Sequence, residues 1–412
     1  MRYLSIFLFF MVSALQAQEH DLDYYINSAL RNEPLFRDIH NQALLNRQDS
    51  LLIRASLRPQ VTASTSANIA PYLNGFGYDP ALSNGGFFNA FVSVSKPVFI
   101  PKENLEAQFA ALDIQNQSLQ NKSRLTQQDI RRNVGAQYIT AYGAAQQLEF
   151  NREVLGLLQR EDKIIKRLAE QNIYRQTDYL TFLSSLQQQE VVVSQLNIQY
   201  KNELASLNYL CGLTDTSLVT LTDPDIQFPE LLPVKNTVFY HQFTLDSLQI
   251  LADDQLIDIP YRPTVNFLGD AGFNSSFASK GWKSFGFSVG FGASVLLADG
   301  QQRRLRHEKT SIQENTRQAY RDFFLQQYQQ EMAQAQQQLI ALDQLDEVVK
   351  AQLQTSWALI DANGKQLRFG DVKVVDYLVA INSRLNAQNQ LTFNYISRLQ
   401  IRNQLRYRNA PE

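Results

Sequence analysis

Proline is missing from two long stretches of the chain, between Pro101 and Pro224 and between Pro263 and Pro411. A proline inside a helix removes a hydrogen bond and clashes with the preceding turn, at a cost of about 3 kcal/mol. Both stretches are rich in Gln, Leu, Ala, Arg and Glu, so they read as long helices. The prolines at 59, 71, 80, 97 and at 224, 229, 233, 260 mark loops and joins. In the second stretch Ile312, Tyr320, Phe324, Tyr328, Met332, Ala335, Leu339, Leu342, Val349, Leu353, Trp357 and Ile360 fall three, four, seven or eight apart. Intervals averaging near 3.5 predict a coiled-coil-like seam. The first stretch repeats this more weakly, with a polar interruption between Leu119 and Ile130. A helix from about Lys102 to Leu168 would be roughly 100 Å long at about 1.5 Å per residue.

Ahead of each helical stretch the period changes to two. Phe285, Phe287, Val289, Phe291, Ala293 and Val295 alternate with small or polar residues, and Val265, Phe267, Ala271 and Phe273 do the same. In the first half Val61, Ala63, Thr65, Ala67 and Ile69 alternate with Thr62, Ser64, Ser66 and Asn68; Ala90, Val92 and Val94 repeat the pattern, which Phe91 breaks. One apolar and one small polar face over about 10 residues is the signature of a transmembrane barrel strand. Phe285, Phe287, Val289, Phe291, Val265 and Phe267 are the expected lipid-facing residues. Tyr72, Phe76, Tyr78, Phe87, Phe88, Phe277 and Trp282 at the hairpin ends could form an interfacial girdle. Four strands cannot close alone, since the smallest bacterial barrels use about eight. Closure needs several chains. A soluble β-sandwich edge also alternates, and that alternative stays open at this point.

The mostly apolar run from Tyr3 to Leu15 after Arg2 is too short for a membrane-spanning helix, which needs about 20 residues, and reads as an export signal. Cleavage is placed after Ala17, with Ala14 as the alternative; no later stretch reaches helical spanning length. The lone Cys211 has no partner for an internal disulfide and reads as a small buried apolar residue. His20, His40, His241 and His307 show no ligand spacing, so no metal or other cofactor is expected. The formal charge of −2 argues against a nucleic-acid partner. No nucleophile, base and orienting group cluster, so no enzyme is expected.

The halves repeat. Arg58, Pro59 and Val61 open the first hairpin as Arg262, Pro263 and Val265 open the second, and Asp178, Tyr179, Leu180 recur as Asp376, Tyr377, Leu378. At the same offset Asn172 matches Gly370 and Arg175 matches Lys373. The expected organisation is a signal at 1–17, then a first repeat at 18–213 with strands about 61–70 and 88–99 and helices about 102–171 and 174–212. A linker at 214–245 leads to a second repeat at 246–412, with strands about 264–274 and 284–297 and helices about 301–363 and 372–408.

The junctions Lys96, Pro97, Val98, Phe99 and Leu296, Leu297, Ala298, Asp299, Gly300, with the tip Leu367, Arg368, Phe369, Gly370 ahead of Asp376, Tyr377, Leu378, resemble those of the TolC-like outer membrane efflux protein family. The resemblance covers essentially the whole mature chain. It implies a mainly α fold with a small transmembrane β part, built as a duplicated unit of helix, β-hairpin and long helical hairpin. It further implies a homotrimer in outer-membrane lipid, a twelve-stranded barrel above an α-helical periplasmic tunnel, a periplasmic adaptor (membrane fusion) protein and an inner-membrane pump. The expected function is then an outer-membrane duct of efflux or type I secretion; a periplasmic coiled-coil adaptor or scaffold with a soluble β-domain is the alternative. Asn172 and Ile173, with Gly370 and Asp371, are the candidate adaptor-docking tips. The family's latch tyrosine and arginine are replaced by Leu367 and Val372.

Single residues keep two readings. Asp371 is a good helix cap. Asp178 and Asp376 either pair within their helices with Arg175 and Lys373 or line a narrow periplasmic aperture. Gly135, Gly143 and Gly156 read as sites of close helix packing or of bending.

Overall fold

The computed structural model describes residues 19–71, 73, 76–77, 85–215, 217–276 and 283–411. The expected export signal and the girdle residues Tyr72, Tyr78, Phe277 and Trp282 lie outside the described residues. In chain order the elements are β1 (Glu19–His20), α1 (Leu22–Asn32), α2 (Pro34–Ser56), β2 (Gln60–Ala70), β3 (Gly85–Phe99), α3 (Lys102–Glu170), α4 (Gln176–Leu210), β4 (Thr220–Leu221), α5 (Val238–Ile257), β5 (Thr264–Ser276), β6 (Phe285–Ser294), α6 (Gln302–Leu367) and α7 (Val374–Arg408). This is the expected mainly α chain with four principal strands. No helix among the described residues is long and apolar enough to cross a membrane.

Two compact units form. One takes the segment ending at Leu35, Leu125–Thr237 and Leu325–Glu412; the other takes Phe36–Arg124 and Val238–Phe324. Each sequence repeat contributes to both units, so the units are not the repeats. The expected repeat boundary at 245/246 falls inside α5, which runs unbroken because Val238–Ile257 holds neither proline nor glycine.

The second unit carries an antiparallel sheet in the order β2-β3-β5-β6. The strand expected to reach 297 stops at Ser294, which pairs with Thr264; the preceding Pro263 has no N–H to extend the ladder. Pro97 sits where the β3–β5 register shifts, a place that tolerates a missing donor. Below the sheet, polar residues set the helix register. Asn121, in the polar interruption of α3, is buried and donates to Gln242 Oε1 at 2.9 Å and to the Val238 carbonyl. Arg317 grips Glu314 through two hydrogen bonds and draws its carboxyl down to about 2. His307 lies 2.7 Å from Asp254 and 3.2 Å from Asp258 by its two ring nitrogens. Only an imidazolium donates from both nitrogens, and the two carboxylates raise its pKa accordingly, although partial burial opposes them. In this unit Ile312 and Tyr320, expected in a packed seam, are exposed.

The first unit is a helical assembly. Val154, Leu158, Ile165 and Leu168 of α3, Phe182 and Leu186 of α4, Ile360 and Leu367 of α6, and Val374, Tyr377, Leu378 and Ile381 of α7 share one core. Close approach is written into α3: a Cβ at Gly135 would stand 2.7 Å from Asn403 Oδ1, and one at Gly143 would stand 2.9 Å from Ile396 Cγ1. Gly156 meets only Arg160, at 3.9 Å, so it does not serve close packing. Trp357, expected in the seam, is 51% exposed and stacks under Arg384 at 3.8 Å. The buried residue there is Ser356, whose hydroxyl meets Ser383 of α7 at 3.0 Å. Cys211 is buried and free, and burial pushes its thiol up to about 12.

Candidate functional site

In the sheet, register decides which side chains share a face. The rows Val61–Val94–Gly269–Val289, Ala63–Val92–Ala271–Phe287 and Thr65–Ala90–Phe273–Phe285 run across all four strands. Phe267 pairs with Phe291 and Val265 with Ala293 on the same face. The aromatic pairs Phe267–Phe291 and Phe273–Phe285 meet edge-on at 5.7 and 5.3 Å. All six residues expected on the lipid side therefore lie on one face. Phe285, Phe287, Val289 and Phe291 are 63–83% exposed, which no solvated sheet needs.

The opposite face holds Thr62–Ser93–Asp270–Ser288 and Ser64–Phe91–Gly272–Gly286. Phe91, which breaks the alternation of β3, thus shares its row with two glycines. A Cβ at Gly272 would fall 2.0 Å from the Ala90 carbonyl oxygen, so the backbone admits nothing larger. β2 and β6 are the two ends of the sheet.

The helical tips are two copies of one motif. At the end of α3, Asn172 N–H donates to the Ala169 carbonyl and Ile173 N–H to that of Leu168. At the end of α6, Gly370 N–H donates to Leu367 and Asp371 N–H to Gln366. These are the paired bonds of a Schellman cap, which needs a left-handed residue; Asn172 has φ 60° and Gly370 φ 79°. Asp371 therefore closes α6 and does not cap α7. The residue at the N-cap of α7 is Lys373, and the carbonyl of Val372 before it is held by a tyrosine hydroxyl.

That hydroxyl belongs to Tyr174, which the sequence did not single out. It lies 3.0 Å from the Leu367 carbonyl and 2.9 Å from the Val372 carbonyl, so the first tip is fastened to the second. The replaced latch positions thus serve through their backbone oxygens. Ile173 adds a steric contact, its Cγ2 lying 2.5 Å from where a Cβ on Gly370 would stand.

The acidic candidates behave differently from a simple ion pair. Asp178 accepts the backbone N–H of Arg175, the N-cap of its helix, at 3.2 Å. Among the described residues no ion pair joins Asp178 to Arg175 or Asp376 to Lys373. Asp376, Arg175 and Lys373 are exposed, and Asp178 is half-buried. A second overlooked group is Glu161, 7% exposed, one of whose carboxylate oxygens is buried without a hydrogen bond. It follows Val154 and Leu158 at core spacing. Burial raises its pKa, and Arg368 and Arg160 oppose this.

Among the described residues no group of three or more His, Cys, Asp or Glu side chains could hold a metal ion. No protein-family profile matches the sequence, and no curated protein matches it. Solved structures do. CusC, studied for folding and transmembrane channel formation, superposes with TM-score 0.76 at 14% identity over 95% of this chain and 92% of its own. The outer membrane protein VceC of Vibrio cholerae gives 0.73 at 13% identity, covering 95% and 96%. The Campylobacter jejuni CmeC outer membrane channel gives 0.71 at 13%, covering 94% and 85%.

Proposed function

We propose that this chain, which has the fold of the outer-membrane channel proteins, is one protomer of a homotrimeric duct in the outer membrane. The observation that carries the reading is the exposed sheet with one continuous apolar face and two unpaired ends. In a bilayer every backbone group must be paired, so a spanning sheet must close into a barrel. Four strands per copy and three copies give closure, with the apolar face toward lipid and the polar face around water.

The duct belongs to a tripartite efflux or type I secretion system and is passive. The helical tips, with Asn172, Ile173, Gly370 and Asp371, dock the periplasmic adaptor, and an inner-membrane pump supplies the cargo. Asp178 and Asp376, flanked by Arg175 and Lys373, line the periplasmic aperture. What supports this part is the repetition of one turn motif, with its acidic residue, at both tips.

The test is cell fractionation followed by electrophoresis of unheated, detergent-extracted protein, then reconstitution in planar bilayers. Outer-membrane recovery, migration as a trimer and stepwise conductance are expected. Recovery as a soluble monomer without detergent would favour the adaptor or scaffold alternative.

A further inference from the structure

Four strands contain two ionisable residues, Lys96 and Asp270, and register puts them on opposite faces. Lys96 shares its row with Phe267 and Phe291, near one end of the apolar face, where a long side chain reaches the headgroups. Asp270 stands mid-strand on the polar face, between Ser93 and Ser288. It accepts a hydrogen bond from the Ser288 hydroxyl at 3.3 Å and has no cationic partner among the described residues. Its diagonal neighbour on β3 is Phe91, an aromatic residue of that face. Diagonal cross-strand positions lie about 7–8 Å apart, within reach of aromatic side chains. Gly272 and Gly286 fill the rest of the Phe91 row toward β6, so no side chain from β5 or β6 stands in that row. A Cβ at Gly286 would touch nothing within 4 Å, so this opening is not forced by packing.

We propose that Asp270 and Phe91 form a site for organic ammonium ions on the inner wall of the barrel, repeated once per protomer, which makes the duct prefer cationic solutes. The inference rests on the trimeric barrel described above. A carboxylate without a cationic partner supplies charge attraction, and the half-exposed Phe91 ring supplies a cation–π contact. The combination selects an alkylated cation over a small hydrated one. Rotational symmetry sets three carboxylates at one level, and acidic rings favour cations in pores. The surrounding serines, threonine and asparagines leave the rest of the wall neutral.

The experiment is single-channel recording of the full-length trimer under a potassium chloride gradient, with tetrabutylammonium added from the extracellular side. Wild type should show a cation-selective reversal potential and block by the ammonium ion. Asp270→Asn should move the reversal potential toward zero, and Phe91→Leu should leave it in place while weakening block by about tenfold, roughly the size of one cation–π contact. The Asp270→Asn shift should also appear in a background carrying Asp178→Asn and Asp376→Asn, which separates the barrel site from the periplasmic aperture. Trimers that assemble and conduct but show no change of selectivity in Asp270→Asn overturn the inference. Block of Phe91→Leu equal to wild type overturns the aromatic part. Absence of any conductance in wild type instead counts against the duct itself. Should Asp270→Asn fail to assemble, Ser288→Lys, which puts an ammonium group beside the carboxylate, provides the same readout: loss of cation preference supports the site and an unchanged preference refutes it.

Discussion

Gly370 is constrained twice, by its left-handed φ and by Ile173 across the paired tips. Gly370→Val should therefore lower stability by about 1–3 kcal/mol, the usual cost of a non-glycine residue held in a sparsely populated backbone region. Thermal melting of the purified protein checks this. Gly370→Ala combined with Ile173→Ala should recover the steric part of the loss and keep the backbone part. Glu161 supplies a pH test. Its pKa is raised in the folded chain, so its contribution is complete below the ordinary carboxyl range and is lost as pH rises through the raised value. Glu161→Gln should match wild type in melting temperature below about pH 4 and exceed it at neutral pH. A constant difference across that range would remove Glu161 as the cause. The left-handed turns at Asn172 and Gly370 were legible in the sequence, because few residues other than glycine and asparagine favour that conformation. Tyr174 was not, since both its acceptors come from the other repeat and no local pattern predicts a partner so distant in sequence.

Among elements, β6 gives the sharpest contrast. Phe287→Arg should prevent accumulation in the outer membrane, because a basic residue on the lipid face costs about 2–4 kcal/mol near the bilayer midplane. Ser288→Arg, one residue along and on the polar face, should assemble beside Asp270. Quantitative blotting of outer-membrane fractions checks both, and equal levels of the two variants would reverse the assignment of faces. Strands of strict period two are readable because burial on one face fixes every second residue. The exception at Phe91 was not readable: its row-mates Gly272 and Gly286 come from strands far along the chain. The long helices were likewise apparent from the missing prolines, but their seams were harder to place. Ser356 lies in the buried line and Trp357 outside it, and a hydrophobicity pattern favours the larger residue.

At the scale of the molecule, the proposed barrel, shared among three copies, would make assembly collective. Co-expression of equal amounts of wild-type and Phe287→Arg chains should leave about one-eighth of trimers free of the variant, as random mixing in a three-fold closed assembly requires. Conductance or trimer yield falling to that fraction is the expected outcome; a fall to one-half would mean that each copy acts alone. The duplicated order of elements was visible in the sequence, whereas the division into two units was not. Each unit draws on both repeats, and α3 and α6 contribute residues to both.

The pairing of β3 with β5 also sets the order of events when the chain folds. Each hairpin, β2 with β3 and β5 with β6, joins neighbours in sequence, and so does each pair of helices meeting at a tip. The β3–β5 ladder instead joins strands separated by all of α3, α4 and α5. Contacts so distant along the chain are slow to form, because their loop entropy is lost before any pairing is gained. The hairpins and helical pairs therefore form first, and the four-stranded sheet is among the last structures completed. Until then the chain has four unpaired strand edges instead of two, so its hazard of wrong pairing is greatest before the sheet is complete.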